Sequence, residues 1–128
     1  MHVQALLPKP VVLIVDDEPA NLGTFVRSFR KEFVVRIATS GSEALRELDH
    51  EPADVVITDY TMPEMNGVEL LRLVAVRWPG VKRLIISGHS DLPELHNAER
   101  LGFAAGLLPK PWRKPEILET IGRLLATR

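Results

Sequence analysis

Five short apolar stretches, each followed by a segment of helical periodicity, constrain this chain more than any other feature. Val11–Val15, Val34–Ala38, residues 55–58 (VVIT) and residues 84–87 (LIIS) are rich in β-branched side chains, and residues 104–108 (AAGLL) form a weaker fifth run. All but the second are almost continuously apolar, the pattern of parallel strands covered on both faces. After Pro19, which suits a first helical turn, Leu22, Phe25, Val26, Phe29 and Phe33 follow helical spacing. Ser40 and Glu43 stand at capping-box spacing ahead of Ala44, Leu45 and Leu48. Residues 66–78 carry Leu70, Leu71, Val74 and Trp78 and stop at Pro79-Gly80, residues 92–101 form the least apolar helix, and residues 115–127 show an amphipathic face of Ile117, Leu118, Ile121, Leu124 and Leu125. Strand–helix alternation repeated five times implies right-handed crossovers. The expected fold is α/β, a doubly wound five-stranded parallel sheet with helices on both faces.

With 128 residues and no linker or repeat, one domain over residues 10–128 is expected, with residues 1–9 as a lead-in. Basic and acidic side chains nearly balance at 16 and 17, which argues against direct nucleic-acid binding by a cationic face. No apolar run is long enough to span a bilayer, the first ten residues make a poor signal peptide, and no cysteine is present. A soluble cytoplasmic protein without thiolate ligands is expected.

Binding sites in such sheets form beyond the carboxyl ends of the strands. There the sequence places Asp16, Asp17 and Glu18 after the first strand, Asp59 after the third, Ser87 after the fourth and Lys110 near the fifth. Any one of these is equally a loop residue; four in compatible order converge on one rim. Clustered carboxylates drive a pKa upward unless a cation neutralises them. An all-oxygen donor set matches a hard ion, Mg²⁺ or Mn²⁺ in its place. Such an ion suits phosphoryl chemistry, with one aspartate as nucleophile and Lys110 and Ser87 stabilising the transferred oxygens.

VDDEPAN, ITDYTMPEMNG, LIISGHS and LLPKPW resemble the receiver (CheY-like) domain of two-component response regulators, over nearly the whole chain. The resemblance implies a flavodoxin-like (βα)5 receiver fold and a phosphoacceptor, not a turnover enzyme. Asp59 would take a phosphoryl group from a histidine kinase or phosphotransfer protein. Asp17 would bind Mg²⁺ directly and Asp16 through water, with Asp59 and the Thr61 backbone carbonyl completing the metal's protein ligands. Ser87 would be the switch hydroxyl, Lys110 would pair with the phosphoryl group, the Lys110–Pro111 bond would be cis, and Pro63 and Gly67 match the turn after the acceptor. The last strand and last two helices would form the partner face of a monomer or weak phosphorylation-dependent dimer.

One position departs from the family. An aromatic or histidine three residues before the lysine is replaced by Leu107. Chemistry at Asp59 should survive, because leucine touches no phosphoryl ligand, while signal would travel through residues 88–98. That departure keeps open a degenerate receiver acting as a phosphorylation-independent interaction module. An aspartate-nucleophile phosphohydrolase is a further alternative, but such enzymes want an acid two residues after the nucleophile, and Asp59 is followed by Thr61. His89 is expected to be a solvated loop residue and Trp112 to pack against the last helix. Arg113, Lys114, Arg123 and Arg128 are expected to be solvated cations near a helix end. The chain stops with its last helix, so it is either a stand-alone relay protein or the amino-terminal piece of a longer regulator or hybrid kinase.

Overall fold

The computed structural model describes residues 8–89 and 91–126. Strands β1 (Val11–Val15), β2 (Val34–Ala38), β3 (Val55–Asp59), β4 (Lys82–Ser87) and β5 (Gly106–Pro109) alternate with helices α1 (Pro19–Phe29), α2 (Gly41–His50), α3 (Gly67–Arg77), α4 (Pro93–Arg100) and α5 (Lys114–Ala126). All pairs are parallel, in the order β2-β1-β3-β4-β5. The expected doubly wound five-stranded sheet is present. Residues 1–7 of the expected lead-in, and Thr127 at the expected end of α5, lie outside the described residues.

The order explains the run that was not continuously apolar. β3 is central and buried throughout, whereas β2 is an edge strand and leaves Val34 and Ile37 47% and 46% exposed. Strand residues alternate between two cores. Leu13, Val15, Val56 and Ile85 face α2, α3 and α4 through Leu48, Leu71, Val74 and Leu95. Val12, Ile14, Ile57 and Ile86 face α1 and α5 through Phe25, Phe29, Ile117 and Ile121.

Boundaries differ from expectation where charge or chain geometry overrides the apolar pattern. β4 begins two residues early at Lys82, and β3 takes in Asp59 itself, paired in register with Ile86. β5 starts at Gly106, two residues late. Phe33 lies beyond α1 yet stays buried, its ring stacked on Phe29 at 5.7 Å between centroids. Trp112 packs against the core that Ile117 and Ile121 of the last helix share with α1, and its ring also meets Phe25 and Phe29 of α1 at 5.7 and 5.4 Å. Such aromatic pairs add about 0.5–1.5 kcal/mol each beyond the area they bury.

Two arginines staple the loops at the amino-terminal end of the sheet. Arg36 donates to the carbonyls of Glu47, Glu51 and Pro52 and to the Glu47 carboxylate. Arg83 donates to the carbonyls of Phe103, Val81 and Gly102 at 2.8–3.0 Å, and burial lowers its pKa. Arg83→Ala leaves these acceptors without their donor and should cost about 2–4 kcal/mol in denaturant unfolding, since charge-assisted bonds are worth more than neutral ones. A loss under about half a kcal/mol would show that water replaces the guanidinium without penalty.

Candidate functional site

β1 and β3 are neighbours whose connections leave on opposite faces, so a cleft opens where they end. The polypeptide after β1 and the last residue of β3 supply the acids. Asp16, Asp17 and Asp59 each offer a carboxylate oxygen, and the three atoms lie within 4.8 Å of one another. Asp16 and Asp59 are buried, at 6% and 7% exposure, and Asp17 is the least buried of the three. Three acids that close repel strongly, so the donor set fits a hard divalent cation.

Asp16 is held from two sides. Its Oδ1 accepts the Glu18 backbone N–H at 2.9 Å, and its Oδ2 accepts the Asn21 side-chain amide at 3.2 Å. Lys110 reaches across from the end of β5, its Nζ 3.1 Å from Asp59 Oδ1. Burial pushes the Asp59 carboxyl above its usual pKa, and the Asp16 charge adds to the rise; the hydrogen bond and charge of Lys110 pull the other way without cancelling it. Asp59 is therefore a poorly solvated carboxyl group beside one cation. Ser87 ends β4, is buried, and its Oγ accepts the His89 backbone N–H at 2.9 Å. His89 itself is exposed, as expected.

The loop after Asp59 is tightly fitted. A γ-turn closes Pro63 to Met65, N to O at 2.7 Å, with Glu64 at a φ of 68°. Gly67 N donates to the Tyr60 carbonyl at 2.8 Å, and a Cβ on Gly67 would sit 2.5 Å from the Asp59 carbonyl oxygen and 3.1 Å from Tyr60 Cα. The resemblance matched Pro63 and Gly67 to this turn, and the close approach is why glycine is needed. Gly67→Ala would press its methyl into the Asp59 carbonyl, Tyr60 Cα and the buried Thr58 Cγ2, and should cost about 1–3 kcal/mol. It should also slow chemistry at Asp59 by moving that residue's peptide. A denaturant melt unchanged from wild type would contradict the fit.

Four of the six expected site residues, Asp16, Asp17, Asp59 and Lys110, are brought together, and Ser87 stands at the end of the strand beside β3. Thr61 lies in the exposed loop after β3. The Lys110–Pro111 bond is cis, as the resemblance implied. A cavity of about 330 Å³ adjoins the acids, walled by Phe25, Ile86, Lys110 and Trp112. Leu107 is half-buried, packed against the core on the α4 side of the sheet.

Two helix caps and one long-range contact complete the surroundings of the site. Asn66 and Glu69 form a full reciprocal capping box on α3; their spacing was legible. Ser40 and Glu43 form half of one, because Glu43 turns back to Thr39 instead of Ser40. Tyr60 donates its hydroxyl to Glu94, which also accepts from Asn66. No local spacing signals a contact between residues 34 positions apart. Among the described residues no helix is long and apolar enough to cross a membrane.

The family profile described as the response regulator receiver domain matches residues 12–122. The hydrogenase transcriptional regulatory protein HoxA of Cupriavidus necator is 33% identical over 86% of this chain and 23% of its own. The DNA-binding transcriptional regulator NtrC of Proteus hauseri is 32% identical over 93% of this chain and 25% of its own. This chain thus spans about a quarter of the length of those relatives. Among solved structures, the signal receiver domain of an HD domain-containing protein from Pseudomonas fluorescens Pf-5 superposes with a TM-score of 0.87 at 26% identity, covering 93% of this chain and 96% of that one. The chemotaxis protein CheY4 of Vibrio cholerae gives 0.83 at 27% identity, covering 91% and 98%.

Proposed function

Because the chain belongs to the response regulator receiver family, the receiver class of two-component signalling is its established setting, and we propose that Asp59 is its phosphoacceptor. The observation that carries this reading is the convergence of three carboxylates from two strands, one of them paired with Lys110 at 3.1 Å. An Asp59 carboxylate oxygen attacks phosphorus, an oxygen–phosphorus bond forms, and the nitrogen–phosphorus bond to a phosphohistidine imidazole of a histidine kinase or phosphotransfer protein breaks. The released imidazole nitrogen takes a proton from solvent. Lys110 and the Ser87 hydroxyl then meet two of the phosphoryl oxygens. Asp17 would hold Mg²⁺, or Mn²⁺, directly and Asp16 through water, with Asp59 and the Thr61 carbonyl completing the protein ligands. Bound there, the ion offsets the repulsion between the acids and the incoming phosphoryl oxygens. The two hydrogen bonds already on Asp16 suit its outer role.

The added charge, roughly −1.5 to −2, is met by Ser87, Lys110 and the cation in only one arrangement of the loops, so the product is a population shift and not a released compound. The domain is a signalling switch in the cytoplasm, a monomer or weak phosphorylation-dependent dimer. It signals to a protein or output domain through β5, α4 and α5, without binding nucleic acid itself. An intact acid cluster and Lys110 favour this over a degenerate interaction module, and Thr61 in place of a second acid favours it over a phosphohydrolase.

The test is stoichiometric. A small acyl-phosphate donor with Mg²⁺ should load one hydroxylamine-labile phosphoryl group per chain, and chelation should prevent it. Repeated turnover of a phosphomonoester would instead favour the hydrolase.

A further inference from the structure

Leu107 has no polar group and no ring to swing, so whatever joins Asp59 to the α4 side of the sheet must lie elsewhere. Tyr60 follows Asp59 directly, and its hydroxyl donates to Glu94 Oε2 in the first turn of α4. The other oxygen, Glu94 Oε1, accepts from the Asn66 amide at 3.3 Å, and Asn66 is the N-cap of α3. One carboxylate thus ties the residue after the acceptor, the start of α3 and the start of α4.

α4 is the shortest helix described, with no side-chain hydrogen bond at its N-cap and only Leu95 and Ala98 buried. Between Ser87 and α4, Ser87 Oγ accepts from His89 N at 2.9 Å, and Leu92 N donates to the His89 carbonyl at 3.3 Å. Tyr60, by contrast, is anchored to the sheet, its N–H donating to the Ile86 carbonyl at 3.0 Å. Drawing Ser87 towards a phosphoryl group on Asp59 breaks its bond to His89 and pulls the start of α4 while Tyr60 stays put.

We propose that the Tyr60–Glu94–Asn66 clasp is an autoinhibitory latch: it holds α4 in the unphosphorylated arrangement, opens when Ser87 moves, and so sets how readily the site is activated. It rests on Asp59 being the phosphoacceptor. A contact made in only one of two states biases the equilibrium by its own worth. Removing it therefore favours the activated state.

Beryllofluoride with Mg²⁺, a phosphoryl mimic, provides the test on the 128-residue chain. Tyr60→Phe and Glu94→Ala should each bind it about three- to tenfold more tightly, the worth of one exposed, charge-assisted hydrogen bond. The double variant should gain no more than the better single one, because one bond is lost in both. Unchanged or weaker binding in the single variants, or gains that multiply in the double, overturns the latch. Tyr60 is the only tyrosine, so its ring resonances report the clasp directly. On adding beryllofluoride they should move to the positions they occupy in Glu94→Ala; resonances that stay put also overturn it. Asp59→Asn separates the two readings. If wild type and Asp59→Asn respond alike to beryllofluoride, the acceptor assignment fails and takes the latch with it. If only wild type binds and the clasp variants match it, the latch alone falls.

Discussion

Asp59→Asn should take up no phosphoryl group from an acyl-phosphate donor and Mg²⁺, and it should also melt higher than wild type by a few degrees at pH 7 without metal. Both results have one cause. The wild-type carboxylate is charged at neutral pH although burial disfavours the charge, and Asp16 and Asp17 stand close by. Asparagine keeps the shape, removes the charge, and offers no carboxylate oxygen to make an acyl phosphate. Because the folded-state pKa of Asp59 is raised above 3.8, the native state holds that proton more tightly than the unfolded chain. The corresponding stability is present below the unfolded value and is lost as pH rises through the folded one. The advantage of the variant should therefore shrink as pH falls towards 4 and the wild-type acid protonates. Adding Mg²⁺ should narrow it from the other side, since wild type then gains binding free energy that the variant largely lacks. Phosphoryl uptake persisting in Asp59→Asn would move the acceptor to Asp16 or Asp17, and a lower melting point would mean that Lys110 depends on its partner more than the acids resent their crowding.

The strand–helix order was legible because each central strand is wrapped on both faces, leaving no polar alternation to confuse it with a helix. The site acids were legible for a related reason: an aspartate directly after a run of buried aliphatics has nowhere to go but the sheet rim. What escaped was contact between elements. Arg36 and Arg83 look like surface cations in sequence, and only the fold supplies the carbonyls they bind. The packing of Trp112 near the last helix is legible from its place in the chain, whereas its ring contacts with Phe25 and Phe29 of α1 are not. Phe33 keeps helical spacing after the helix has ended, because a buried ring fits the same groove from a turn. Leu107 could be read as a missing aromatic, but the Tyr60–Glu94 pair could not, as it joins the loop after β3 to the first turn of α4, which only the sheet order brings side by side.

Asp17→Ala should weaken Mg²⁺ binding by at least about tenfold, the scale that even outer-shell substitutions reach at metal sites, while Ser87→Ala should stay within about twofold. The two side chains lie on the same rim but offer a cation different things. Asp17 contributes a carboxylate whose oxygen lies within 4.8 Å of those on Asp16 and Asp59, and it is the least buried of the three, able to close on an ion without unburying either neighbour. Asp16 is already committed to Glu18 and Asn21, so it cannot fully replace the lost ligand. Ser87 is neutral, buried, and engaged with the His89 amide. Its hydroxyl matters once a phosphoryl oxygen is present, not before. Trp112 walls the same cavity as Asp16, Asp59 and Lys110, so its fluorescence can follow the titration without a label. Equal losses in the two variants would mean that the ion sits nearer β4 than the acids allow, and the division of labour between metal ligand and switch hydroxyl would have to be redrawn.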